Sequence, residues 1–175
     1  MALTMMDKQA DTLQQIPWPQ WLSQEFVRER DQPNGCVGSE LLSESDRVRV
    51  WTICLRPGER LGFHRHVLDY FWSALTSGRG RQHLPDGSTV EHSYAAGETR
   101  HETYAPGDFK VHDLENIGES DLLFATVEFL DSANAPLPIG HARRRPLPRP
   151  VLSHKGDDHG PQSLGGRQGA TAAGS

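Results

Sequence analysis

His64 and His66 stand one residue apart in the run Pro57-Gly-Glu-Arg-Leu-Gly-Phe-His-Arg-His-Val-Leu-Asp-Tyr-Phe71. Side chains alternate across a strand, so both imidazoles point to the same side, about 7 Å apart along the backbone. Two neutral imidazoles at that spacing can share one divalent metal ion. A pair of donors is a weak chelate, and a third must come from elsewhere. The candidate is His112, in Lys110-Val-His-Asp-Leu-Glu-Asn116. Asp69, the nearest carboxylate, is the candidate fourth donor, and a three-histidine set is favoured over a four-ligand one. Histidine nitrogen suits several ions: Fe(II) is favoured, with nickel, zinc, manganese or copper as alternatives.

Other groups near this run can move protons or line a site. Tyr70 and Asp69 follow the second histidine directly. Glu128 lies in an apolar strand between Val127 and Phe129, where a charge needs a partner. It is read either as the acceptor for the free N–H of a metal-binding histidine or as an outward or edge residue. Catalytic candidates are therefore Tyr70, Asp69 and Glu128. Gly62 shares the parity of His64. On the next strand either Asp69, Phe71 and Ser73 or Tyr70, Trp72 and Ala74 form an inner wall. Phe109, Leu114, Phe124 and Thr126 are further lining candidates. Asn116 is expected to shape the turn before Gly118. His83, His92 and His101 fall on charged hairpin segments and read as solvated strand faces.

The elements that must position these groups are short strands. From Cys36 to Asp131, apolar runs of strand length alternate with turn signals: Pro57-Gly58, Gly78, Asp86-Gly87, Gly97, Pro106-Gly107 and Asn116-Ile-Gly118. From Gly78 onward they recur roughly every ten residues, the spacing of an all-β sandwich or barrel. Arg47 to Leu55 alternates with Trp51, Ile53 and Leu55 on one face, and Asp121 to Leu130 behaves similarly. Pro19 to Gln32 reads as a short helix with Trp18, Trp21, Leu22 and Phe26 near one face.

The ends differ in texture. Residues 1–15 are expected to fray. The basic run Arg143-Arg-Arg-Pro-Leu-Pro-Arg-Pro150 leads into a stretch of Gly, Ser, Ala and Gln that cannot bury enough surface to order itself. The expected division is a 1–32 arm with a helix, a 33–140 β-barrel and a 141–175 disordered tail. Net charge is -5, made of a tail at +4 and a body at -9. That distribution argues against nucleic acid, whose readers place positive charge on a folded face. No apolar run approaches the roughly 20 residues needed to cross a membrane. Met1 to Gln15 lacks an apolar signal core, and the two cysteines are not spaced as a motif. A cytoplasmic location is the expectation.

Taken together, Gly58, five residues, His64, one residue, His66 and then Gly78 resemble the first motif of the cupins. His112, three residues and Asn116 resemble the second. A hairpin on Pro85-Asp86-Gly87 stands where cupins place the loop between motifs. The resemblance covers roughly residues 36–132 and implies a jelly-roll barrel with one metal ion on His64, His66 and His112. Two departures stand out. Tyr70 and Phe71 occupy the positions where cupins usually carry a Glu ligand, and Gly107-Asp108-Phe109 replaces the usual Pro-x-Gly. The pattern His-x-His-x-x-Asp-Tyr is similar to a subgroup of small bacterial cupins, some described as β-alanine degradation proteins. The implied function is a metal-dependent enzyme acting on a small organic acid or carbonyl compound, with a non-haem iron dioxygenase favoured. A redox-neutral isomerase or lyase and a non-catalytic ligand-binding cupin are the alternatives. A homodimer is implied by the resemblance, and the aromatic residues of the helix would give it a surface.

Overall fold

The computed structural model describes residues 17–140 and 142–144. The expectations for residues 1–15 and for the tail beyond Arg144 lie outside the described residues.

Alternating apolar and polar residues between glycine-marked turns produce short antiparallel strands. These are β1 (Glu40–Glu44), β2 (Val48–Leu55), β3 (Arg60–His66), β4 (Tyr70–Ala74), β5 (Gly78–His83), β6 (Thr89–Tyr94), β7 (Thr99–Glu102), β8 (Lys110–Asn116) and β9 (Leu122–Phe129). One sheet runs β1-β2-β9-β4-β7 and the other β3-β8-β5-β6. From β2 onward successive strands thus cross between facing sheets, except at the β5–β6 hairpin, and β2 pairs with β9. This is the expected jelly roll, with β1 added at one edge. The β5–β6 turn shows how the sequence sets register. Gly87 adopts φ 86°, a left-handed conformation that costs glycine nothing, and its N–H donates to Leu84 O at 2.9 Å.

Three apolar clusters hold the barrel. Ile53, Leu55, Ala74, Tyr94, Leu114, Leu122 and Phe124 fill one end between the sheets. Cys36, Val37, Leu41, Trp51 and Ile139 form a second cluster under β1 and β2. The third lies outside the β3-β8 sheet, where helix α1 (Gln20–Asp31) packs: Trp18 and Leu22 bury against Phe63 and Val111, with Phe26 beside them. Each such side chain removed from water contributes roughly 1.5–3 kcal/mol.

Polar groups fix the helix as well. Fully buried Asp113 on β8 accepts from Arg60 Nη1 at 2.6 Å, from the His83 backbone N–H at 2.6 Å and from His83 Nδ1 at 2.9 Å. Arg60 also pairs with Glu25 of α1, and Arg65 with Glu29 at 3.0 Å.

Several expectations change here. Trp21 points away from the barrel and is 56% exposed, with the Arg60 guanidinium 5.2 Å from its ring centre. Trp18 and Phe26 pack on Phe63 of the barrel, with ring centroids 5.6 and 5.3 Å from it. The barrel also does not stop at residue 140. Ala142 packs on the second cluster, the Leu41 N–H donates to Arg143 O at 2.7 Å, and Arg144 bridges Leu41 in parallel.

Candidate metal centre

The period-2 rule places His64 and His66 on the inner face of β3, but an irregularity sharpens the geometry. Leu61 pairs with Leu114 and His64 with His112, so β3 carries one residue more than β8 over that stretch. This bulge turns Gly62 outward, against its expected inward parity. A Cβ there would lie 2.5 Å from Glu25 Oε1 of α1. The Gly62 carbonyl in turn accepts the His64 Nδ1–H at 2.9 Å.

His64, His66 and His112 are all buried, and one nitrogen from each lies within 4.8 Å of the others. Their rings pack face to edge or tilted, with centroids 4.6 to 5.1 Å apart. His112 Nδ1–H donates to Gln82 Oε1 at 3.0 Å, and Gln82 Nε2 donates to Tyr94 OH at 3.1 Å. With Nδ1 protonated on His64 and His112, their Nε2 lone pairs are free for an ion. His66 Nε2 sits 3.1 Å from His112 Nε2, while His66 Nδ1 has no protein partner among the described residues. Burial pushes the His64 ring down to about 4 and the other two well below the ordinary imidazole value. All three are therefore neutral at pH 7, the protonation state metal binding requires. The donor set fits a single divalent ion.

These nitrogens face a cavity of about 200 Å³ lined also by Ile53, Tyr70, Trp72, Leu114, Phe124 and Thr126, among others. Of the two candidate walls, the one with Tyr70 and Trp72 faces in. Tyr70 stacks on His66 with centroids 4.2 Å apart, and burial raises its hydroxyl above the usual phenol range. Leu114, Phe124 and Thr126 line the cavity as expected. Phe109 does not. It is exposed, with the Arg65 guanidinium 4.5 Å from its ring centre.

The carboxylate candidates lie elsewhere. Asp69 Oδ1 accepts the Tyr104 backbone N–H at 2.9 Å, and Asp69 is not among the donors gathered with the histidines. Its short side chain is used to hold the chain before Pro106. Glu128 is buried, so the outward reading fails, but its partner is Trp51 Nε1–H at 2.8 Å rather than a histidine. Asn116 does shape its turn: Nδ2 donates to Leu55 O and Ser120 O, and Oδ1 accepts the Gly118 N–H. Of the remaining histidines among the described residues, His101 is exposed while His83 and His92 are partly buried. His83 serves Asp113, and His92 lines the cavity, where it faces Glu98 Oε1 at 3.2 Å.

Gln82 was missed by sequence reasoning. The available signal was the alternation of Arg79 and Arg81, which puts Gly80 and Gln82 on the inner face. Gln82→Met is expected to lower metal affinity roughly 10- to 100-fold by releasing the His112 ring. Competition against a chromophoric chelator would measure it, and unchanged affinity would remove Gln82 from the site.

Glu128 carries a pH signature. Burial pushes its carboxyl up to about 7, against the Trp51 N–H and the Arg49 charge, which pull it down. An unfolded glutamic acid titrates near 4.5. Between these values the folded state binds the extra proton, so this group's stabilisation is full below 4.5 and is lost as pH rises through about 7. Glu128→Gln keeps an acceptor for Trp51 and should gain stability relative to the parent between pH 5 and pH 8, on the order of 2 kcal/mol. Urea unfolding of both proteins at the two pH values checks this. Parallel curves would show that Glu128 stays ionised.

No protein-family model matches the sequence, and no curated protein matches it. Solved structures similar to it include a cupin domain from Bordetella pertussis Tohama I, at 21% identity over 56% of this chain and 96% of that one, with a TM-score of 0.46. A Klebsiella pneumoniae protein with a double-stranded β-helix domain is 24% identical over 53% of this chain and 75% of its own, at TM-score 0.41. A Bacillus subtilis oxalate decarboxylase is 24% identical, covering 48% of this chain and 22% of its own, at TM-score 0.37. By its own strand order, this chain has the double-sheet jelly-roll architecture in which cupins are built.

Proposed function

We propose that this chain is a metal-dependent cupin enzyme that holds one divalent ion, Fe(II) favoured, on His64, His66 and His112. Its substrate is a small organic acid or carbonyl compound. The observation that carries this reading is the convergence of three buried, neutral imidazoles on a cavity of about 200 Å³. Three neutral ligands leave the ion its full charge, which supplies Lewis acidity or, as ferrous iron, oxygen activation.

The protein's own residues supply the rest. Ile53, Trp72, Leu114 and Phe124 give the cavity apolar walls that limit water around a bound molecule. Gln82 fixes the tautomer of His112 and Gly62 that of His64. Tyr70 is a protonated hydroxyl facing the same space, able to donate a hydrogen bond or a proton to a substrate oxygen. Asp69 and Glu128 are not among the residues that line the cavity.

A dioxygenase is the favoured activity, and Tyr70 supports a redox-neutral isomerase or lyase as the second reading. Metal analysis of the purified protein, followed by oxygen uptake across a panel of small 2-oxo and hydroxy acids, tests both. Turnover with oxygen uptake supports the dioxygenase, and turnover without it supports the second reading. One equivalent of metal with tight binding and no turnover would mark a ligand-binding cupin. Absence of metal after supplementation would end the proposal.

A further inference from the structure

Lys110 opens β8 two residues before His112 and stands opposite His66 in the β3–β8 register. The period of the strand therefore turns it to the same inner face as His112, and it lines the cavity. Its charge acts on all three imidazoles, depressing each. Among the described residues, no carboxylate lies within ion-pair distance of its ammonium. The contrast with the cavity's other cation is informative. Arg100 is half-exposed and already neutralised by Glu98 at 2.8 Å. Glu102 lines the cavity from β7 but does not pair with Lys110.

A half-buried, unpaired ammonium beside a site for a divalent cation is electrostatically unfavourable until an anion joins them. We propose that Lys110 is the anchor for a substrate carboxylate, seating it by a charge-assisted hydrogen bond while a second donor of the same molecule faces the three imidazole nitrogens. Lys110 is then a specificity residue that selects small acids over their neutral analogues. The inference rests on the metal reading above and narrows its substrate class to carboxylates with a second oxygen donor within a few bonds. A neutral carbonyl compound would leave Lys110 without a partner.

The test uses malonate and succinate as probes, each compared with its neutral diamide, malonamide or succinamide. Binding is measured by calorimetry on the metal-loaded full chain, with metal content determined on the same samples. The parent should prefer at least one diacid over its diamide by about tenfold or more, as expected for an added charge-assisted contact. Lys110→Met should keep its metal and its melting temperature while losing that preference. Lys110→Arg, which keeps the charge, should retain most of it. Equal preference in the parent and in Lys110→Met, or no binding of either diacid by the parent, overturns the proposal. If the parent holds no metal, the metal reading falls separately. Diacid binding to the metal-free chain that is lost in Lys110→Met would then still support the anchor, and its persistence in that variant would overturn it.

Discussion

His112→Ala is expected to abolish stoichiometric metal binding while leaving a folded barrel, and His64→Ala and His66→Ala should do the same. The barrel core is built from apolar strand residues such as Ile53, Leu122 and Phe124, none of which depends on an ion. The ion, by contrast, depends on three donors within 4.8 Å of one another. Losing one leaves two imidazoles, a chelate that buffer and water strip. The loss should exceed the roughly 10- to 100-fold typical of disturbing a residue that only supports a ligand. Elemental analysis after dialysis reads the result, and circular dichroism checks the fold. Two controls sharpen it. Asp69→Asn should keep its metal, because that carboxylate holds the Tyr104 amide instead. His92→Ala should also keep it, although His92 lines the cavity, because its ring faces Glu98. Retention of metal in His112→Ala with loss in His92→Ala would show that the donor set is wrong.

Asp113→Ala should be the most destabilising polar substitution in the described fold. The carboxylate is fully buried and serves an arginine, a backbone N–H and a histidine ring. Its removal leaves Arg60 with Glu25 alone and the part-buried His83 amide without its acceptor. Breaking a buried pair in this way costs about 3–5 kcal/mol. For a chain of this size that corresponds to a fall in melting temperature on the order of 10 °C. Asp113→Asn keeps an acceptor for the amide but not the charge, and should fall between the two. Glu91→Ala removes an exposed pair with Arg79 and Arg81, and should cost no more than about 1 kcal/mol. Equal melting temperatures for Asp113→Ala and Glu91→Ala would mean that the network under the helix contributes nothing.

The strands and the donor residues were legible because both follow a period of two. Trp51, Ile53 and Leu55 declare one face of β2, and His64 and His66 share a face for the same reason. What escaped the sequence lay where the period breaks or where a partner is distant. The bulge in β3 turns Gly62 outward without any change in composition to announce it. Glu128 could be recognised as needing a partner, but Trp51 lies 77 positions away. Asp69 was a candidate fourth donor, less favoured than three histidines alone, by proximity along the chain, yet a residue just past the end of β3 no longer follows the strand's alternation. His83 and His92 looked solvated because their neighbours are charged, whereas the fold sets one against Asp113 and Trp18 and the other in the cavity lining.

The strip of residues 142–144 beside β1 has a consequence for how copies of this molecule meet. β1 is the outer strand of its sheet, and a bare outer strand offers unpaired amides and carbonyls to any passing chain. Here the Leu41 amide is already taken by Arg143, and Arg144 reaches Glu44 at 3.1 Å. The returning segment thus caps that margin with backbone and positive charge. A protein cut at Gly140 would keep its cavity and its histidines but expose a sticky border, and would be prone to edge-to-edge aggregation.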